Sequence, residues 1–293
     1  MSGDAPAVTV ITATYNWSSV LRYAIKSVLA QDLQDFEMLV VGDGCTDDSG
    51  EVVGSFRDPR IRWHNLERNS GSQSIPNNRG LELARGRYVA YLGHDDLWYP
   101  THLSRLVAAL QSSSADFAHS LALMIGPPET GIRVVTGIYL AGGWERDMHV
   151  PPSSLMHRRD VWRDIGGWKD YRLLPEPPDA EFQTRALRLG KRFVCVPELT
   201  AFKFNSAWRR NCYREKPCHE QAECFRRIMA EPDFIQRELV ATVSDRGVRT
   251  CHRRSGRTPR RERPDGGVFG YRLQDATGAP VERPPRAASG ARA

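Results

Sequence analysis

The stretch Tyr88-Val89-Ala90-Tyr91-Leu92-Gly93-His94-Asp95-Asp96 decides the fold. An apolar run that breaks at once into a turn and two carboxylates reads as a buried strand ending in a polar loop. Two earlier runs behave alike. Val8-Thr9-Val10-Ile11-Thr12-Ala13 leads into Thr14-Tyr15-Asn16, and Phe36-Glu37-Met38-Leu39-Val40-Val41 leads into Gly42-Asp43-Gly44-Cys45-Thr46-Asp47. Between them Leu21, Ala24, Ile25, Val28 and Leu29 recur at helical spacing, with Ser18 or Ser19 as N-cap. A strand is expected at 61–65, a helix ending at 81–85 with Gly86 as its cap, and a helix after Pro100 with Leu103, Leu106, Val107 and Leu110 on one face. Strand–helix alternation with nearly continuous apolar strands predicts an α/β fold, a mostly parallel central sheet flanked by helices. Ligands bind such sheets beyond the C-terminal ends of the strands.

The rest of the chain is less regular. Strands are expected at 117–125 and 132–140, around Pro127-Pro128, and at 193–196. Helices are expected at 159–165, 180–189 and 215–229. The 293 residues are 40% hydrophobic, enough for a core, and the net charge of +6 is unevenly placed. Residues 241–293 carry twelve Arg against five acidic residues, so this tail is +7 and the first 240 residues are −1. The tail, rich in Arg, Pro and Gly, is expected to be disordered or irregular. The body comprises 1–240: a first half at about 8–110, a second at about 111–210, and a helical segment at 211–240. The dense arginine cluster at 246–263 has no Phe, Trp or Tyr interleaved, and no nucleic-acid partner is expected. No apolar run approaches the ~20 residues of a membrane-spanning helix, and the N-terminal stretch lacks the pattern of a secretory signal. The cysteines at 45, 195, 212, 218, 224 and 251 lack zinc-site spacing and are expected to be reduced thiols in a cytoplasmic protein.

Three acidic sites follow strands or turns. Asp43 ends the second strand, Asp95 and Asp96 end the fourth, and Asp179 opens a helix after Pro175-Glu176-Pro177-Pro178. Adjacent carboxylates at a strand end can divide labour, one hydrogen-bonding a hydroxylated ligand and one holding Mg2+ or Mn2+ together with substrate phosphates. An N-cap role is the structural alternative for Asp95-Asp96 and for Asp179.

In order along residues 8–204, these motifs resemble a family-2 glycosyltransferase of the GT-A fold. The similarity runs through Val10–Asn16, Ala24–Gln31, Phe36–Asp47, Asn69-Ser70-Gly71, Asn78-Arg79-Gly80-Leu81, Ala84-Arg85-Gly86 and Tyr91–Asp96. It continues through Ser153–Arg159, Gly166-Gly167-Trp168 and Asp179–Arg185. The resemblance implies a nucleotide-sugar-binding first half and an acceptor-side second half. It implies donor-nucleotide contacts from Thr14, Tyr15, Asn16, Asp43, Asn77 and Asp95, a metal at Asp96, and Asp179 as catalytic base. His94, His157 and Arg158 are candidate diphosphate or acceptor contacts. The implied activity is metal-dependent, inverting transfer from a nucleotide-diphosphate sugar, UDP-type first, to an acceptor hydroxyl in surface polysaccharide or glycoconjugate synthesis. The implied cofactor is Mn2+ or Mg2+. A polysaccharide or lipid-linked acceptor fits a cytoplasmic enzyme attached peripherally at the inner membrane face.

Several positions depart from the family pattern. Ala13 replaces a Pro, Gly42 and Gly93 each replace an Asp, Asn77 replaces an Arg and Pro178 replaces a Glu. Gly42, Asn77, Gly93 and Pro178 keep alive the alternative of a catalytically weak or inactive nucleotide-sugar-binding protein. The stretch 126–150, with Trp144, Glu145 and Asp147, is expected to select the acceptor.

Overall fold

Four parallel strands, β1 (Val8–Thr14), β2 (Phe36–Gly42), β3 (Ile61–Asn65) and β4 (Tyr88–Tyr91), lie side by side in the order β3-β2-β1-β4. They are joined by helices α1 (Ser18–Leu29), α2 (Ser49–Ser55) and α3 (Ser74–Leu83). The computed structural model describes residues 5–138 and 149–244. Trp144, Glu145, Asp147 and the tail beyond Ser244 therefore lie outside the described residues.

The chain continues through β5 (Leu97–Trp98), α4 (His102–Ser112), β6 (Phe117–Ile125), β7 (Arg133–Thr136) and β8 (Leu155–Arg158). It then forms α5 (Val161–Ile165), α6 (Pro178–Arg188), β9 (Phe193–Phe204), α7 (Cys212–Glu215), α8 (His219–Ala230) and α9 (Phe234–Ser244). All the described strands join one sheet in the order β3-β2-β1-β4-β8-β6-β9-β5, with β7 on β6. The parallel character breaks at β8, which runs antiparallel to both β4 and β6, and resumes between β6 and β9. β8 carries no strand signal of its own in the sequence, because its residues Leu-Met-His-Arg do not alternate.

β9 runs eight residues beyond the expected end at 196. Its pairing with β6 slips between Ser120 and Ala122, where Val196, Leu199 and Ala201 oppose successive β6 residues. Pro197 falls inside the slip; it has no N–H to give to a ladder and fits a bulge. The strand then continues to Phe204, carrying Lys203 to within 3.1 Å of Asp96 Oδ2.

Alternating residues of the strands fill two cores. Val8, Val10, Met38 and Val40 face α1 and α4, packing on Leu21, Ile25, Leu103 and Leu106. Ile11, Val89 and Tyr91 face the other side, against Leu81, Phe182 and Trp168. Trp168 and Phe182 stack at 4.9 Å between centroids. At about 1.5–3 kcal/mol per buried large side chain, these cores outweigh the exposed ion pairs, worth about 0–1 kcal/mol each.

The end of the sheet opposite the site is closed by Glu37. Its buried carboxylate accepts from Thr9 Oγ1 (2.8 Å), Arg85 N (2.7 Å), Arg85 Nε (2.8 Å) and Arg62 Nη2 (2.8 Å). Burial works to raise its pKa, but the bonds from Arg85 and Thr9 and the charge of Arg62 outweigh it and hold the pKa low. Gly86, expected as a helix cap, sits two residues beyond Ala84, which is already extended. Its N–H donates to Thr9 Oγ1 (2.8 Å), and a Cβ there would lie 2.4 Å from Thr9 N, so backbone approach to β1 is what demands glycine.

His102 opens α4 fully buried, stacked on Trp98 at 4.3 Å, with Nδ1 2.8 Å from Thr200 Oγ1 on β9. Burial lowers its pKa from 6.5 to about 3. The unfolded chain therefore takes up this proton below pH 6.5 while the folded one does not, and stability falls on acidification through that window. The contribution amounts to about 1.4 kcal/mol per pH unit. His102→Phe, which keeps a stacked ring but cannot titrate, should lose less stability than the parent between pH 7 and pH 5, as measured by urea unfolding.

Candidate active site

The C-terminal ends of β1 and β2 are tied together before any ligand is considered. Asp43 N donates to Thr14 O (2.8 Å), which continues the ladder past Gly42. Asn16 adopts φ 44°, a left-handed conformation that Asn tolerates, and its Oδ1 accepts from Thr46 N (2.7 Å) and Asp47 N (3.2 Å). Its side chain is thus occupied in holding the 45–47 loop. The buried Asp43 carboxylate accepts from the Ser70 N–H and hydroxyl, each at 3.0 Å, which draws the 68–72 loop over the strand end. Burial raises the pKa of Asp43 despite these bonds. Tyr15 stands between Thr14 and Asn16, half-buried. Gly42, where the family carries an Asp, lies so close to β3 that a Cβ would meet Asn65 Oδ1 at 2.4 Å.

The end of β4 holds the densest polar cluster. His94 is buried rather than solvent-facing, with Nδ1 2.8 Å from Thr14 Oγ1 and its ring against Trp17 (5.7 Å) and Tyr213 (6.0 Å). Burial lowers its pKa to about 4, so at neutral pH it is an uncharged hydrogen-bonding partner of β1 and not a cation for phosphate. Asp95 is buried, its backbone carbonyl accepts from Gln221 Nε2 (3.2 Å), and its Oδ2 has no partner. Asp96 is fully buried and engaged on both oxygens: Oδ2 accepts from Ser153 Oγ (2.5 Å) and Lys203 Nζ (3.1 Å), and Oδ1 from Phe204 N (3.0 Å). Burial raises the pKa of both carboxyls, with the Lys203 charge working against it. Ser153 also receives the Gly93 N–H (3.0 Å). Sequence reasoning gave no role to Ser153, which stands in the Ser153–Arg159 motif, or to Lys203, which stands in none; the fold brings both to Asp96.

Asp179 lies buried in the first turn of α6. Pro178, standing where the family has Glu, is at the first helical position, where a missing N–H costs nothing. Gln183 on the same helix holds Val150 through both backbone groups, at 2.9 Å each, and so fixes the approach to Ser153. Asp179 and Lys203 line one cavity of about 90 Å³ with Met124, Thr136, His149 and Pro151. The two halves are also tied by Asn78, whose side chain accepts from Trp168 N (2.7 Å) and donates to Trp168 O (2.8 Å). Asn77 beside it is buried in α3.

His157 and Arg158 are not at this site. Both lie on β8 where it pairs with Val89 and Tyr88, toward the far end of β4. His157 is fully buried, 2.9 Å from Tyr91 Oη and 2.8 Å from Arg158 O. The Arg158 guanidinium donates to the carbonyls of Ala115 (2.9 Å) and Leu110 (2.5 Å), closing the end of α4. The antiparallel course of β8 is the reason: it points Ser153, not His157, at the carboxylates.

Among the described residues no group of three or more His, Cys, Asp or Glu side chains is arranged to hold a metal ion. Asp95 nevertheless offers a buried oxygen without a partner beside Asp96. Mg2+ or Mn2+ held by one or two carboxylates and completed by substrate phosphates asks for no third side chain. The pair fits a cation of that kind.

The family model for glycosyl transferase family 2 matches residues 9–209. The chain belongs to this family. Family-2 relatives include the succinoglycan biosynthesis protein ExoO of Rhizobium meliloti, 36% identical over 39% of this chain and 32% of ExoO. Another is the UDP-Glc:alpha-D-GlcNAc-diphosphoundecaprenol beta-1,3-glucosyltransferase WfaP of Escherichia coli, 28% identical over 39% of this chain and 45% of WfaP. The chain thus spans about half or less of the length of the curated relatives it matches. Among solved structures, S. aureus TarS 1–349 in complex with UDP-GlcNAc aligns with a TM-score of 0.57 and 20% identity, over 81% of this chain and 72% of that one. The mannosyltransferase PcManGT of Pyrobaculum calidifontis, solved with GDP-Man and Mn2+, aligns at 0.55 and 17%, over 82% and 74%. These structures share the GT-A fold with the family-2 chain described here.

The geometry explains one departure from the family pattern. A Cβ on Gly93 would lie 2.6 Å from Asp96 Oδ2 and 3.3 Å from Asp95 Oδ1. The Asp96 carboxylate is held on three sides and cannot yield cheaply. Gly93→Ala should therefore destabilise the protein by about 1–3 kcal/mol in urea unfolding, the usual cost of overpacking a filled site. A fully stable variant would show that Asp96 is loosely held.

Proposed function

We propose that the chain moves a sugar from a nucleotide-diphosphate donor, UDP-type first, to an acceptor hydroxyl in the synthesis of a surface polysaccharide or glycoconjugate, with inversion at the anomeric carbon. The observation that carries this is a cavity lined both by Asp179 and by Lys203, which is bonded to the strand-end carboxylate Asp96. Family membership and the polysaccharide-related relatives support it. TarS, solved with UDP-GlcNAc, and PcManGT, solved with GDP-Man and Mn2+, are the grounds for a nucleotide-sugar donor.

In this scheme Thr14, Tyr15, Asn16, Asp43, Asn77 and Asp95 frame the nucleotide. Asn16 and Asp43 act through the loops they hold, at 45–47 and around Ser70. Asp95 and Asp96 would hold Mg2+ or Mn2+, which when bound neutralises charge on the departing diphosphate. Asp179 takes the proton from the acceptor hydroxyl as that oxygen forms its bond to the anomeric carbon. The bond from that carbon to the diphosphate oxygen breaks with its electron pair leaving on phosphate, and one displacement inverts the centre. A lipid-linked or polysaccharide acceptor fits peripheral attachment at the cytoplasmic face of a membrane. Among the described residues no helix is long and apolar enough to cross one.

Asp179→Asn should lower sugar release from UDP-hexoses by about a hundredfold or more, the range for loss of a general base, and leave UDP affinity unchanged in calorimetry. Full turnover by that variant would remove Asp179 from the chemistry. Binding of UDP-sugars without any transfer or hydrolysis by the parent protein would favour the non-catalytic alternative.

A further inference from the structure

Lys203 is the one element of the site that the carboxylates alone do not account for. It is one of five lysines among 41 basic residues, in a chain that otherwise uses Arg. A lysine ammonium is a compact point charge, whereas a guanidinium is a planar fork. The ammonium sits 3.1 Å from Asp96 Oδ2, with the side chain 18% exposed, and it lines the cavity that also holds Asp179. It thus stands between the β4 carboxylates and the side from which an acceptor would approach. A leaving diphosphate would have to lie in the same place.

The charge balance points the same way. A nucleotide sugar brings two negative charges to a strand end that already carries Asp95 and Asp96. Gly93 spares the cluster a third carboxylate, and the Asp96 oxygens leave no room for a side chain there. Lys203 cancels one of the remaining two charges from within the protein. The bulge at Pro197 sets the phase of β9 so that Lys203 and the Phe204 N–H both reach Asp96.

We propose that Lys203 is a built-in cation of the donor site, contacting a phosphate oxygen of the nucleoside diphosphate, so that the chain retains the donor even when no divalent ion is present. The role presupposes the nucleotide-sugar function proposed above. Asp96 positions the ammonium, and a metal held at Asp95 and Asp96 would add to its effect rather than create the phosphate site.

Calorimetric titration of the full chain with UDP and with GDP, in excess EDTA and again in Mn2+, tests this. The parent protein should bind one of them in EDTA. Lys203→Met should weaken that EDTA-resistant binding by about tenfold or more, as expected for loss of a partly buried charge partner, and Lys203→Arg should retain most of it. Lys203→Met leaves Asp96 buried without its counter-charge, so the double variant Asp96→Asn/Lys203→Met, which removes both charges, serves as the folded reference, checked by its melting temperature. It should bind in EDTA no better than the single variant. Unchanged EDTA-resistant binding by either Met variant would reduce Lys203 to a lock on Asp96 and overturn the proposal. Binding by the parent in Mn2+ alone would overturn it too, while leaving the glycosyltransferase function standing. Binding in neither condition would overturn both.

Discussion

The Asp96 carboxylate is the point on which the site depends. It draws together three segments far apart in sequence: the end of β4, the turn at Ser153 that begins β8, and the end of β9 at Lys203 and Phe204. Ser153 leads into β8, which runs against β4, and Lys203 and Phe204 end β9, which runs with β4, so the carboxylate fixes where the parallel and the mixed parts of the sheet meet. A fully buried charge is tolerable only when it is paired and hydrogen-bonded, and here both oxygens are. The glycine at 93 follows from this, since the space a side chain would need is already filled by Asp96.

The first half was legible because its signals are local. Strands β1, β2 and β4 are nearly continuous apolar runs that break into polar turns, and α1 between the first two shows clean helical spacing. The second half was harder. β8 is four residues without alternation, and β5 is a strand of two residues, too short to carry a pattern of its own. The length of β9 depends on a bulge that no propensity announces. Of the candidate site residues, Asp43, His94, Asp95, Asp96 and Asp179 were visible from their places at strand ends and a helix start. His157 and Arg158 were misplaced because their position depends on the direction of β8, which the sequence does not encode locally. Ser153 and Lys203 acquire meaning only through long-range pairing.

The polar residues at the strand ends divide into those that build the site and those left with capacity for a ligand. Asn16 and Asp43 spend their side chains on neighbouring loops, and His94 spends one nitrogen on Thr14. Asp95 keeps an unpartnered oxygen. An acidic residue at a strand end is thus not by itself a ligand contact. Its hydrogen-bond partners decide whether it holds the protein or remains to hold something else.

The tie between Asn78 and Trp168 bears on how such a molecule can change over time. Asn78 grips only the backbone N–H and carbonyl of residue 168, beside a glycine at 167 whose Cβ would strike it at 2.4 Å. A contact made to main chain is indifferent to most side chains around it. Side chains of the second half can therefore diverge by ordinary substitution while its register on the first stays fixed. One amide and one glycine let the surface of the second half drift without unseating it from the first.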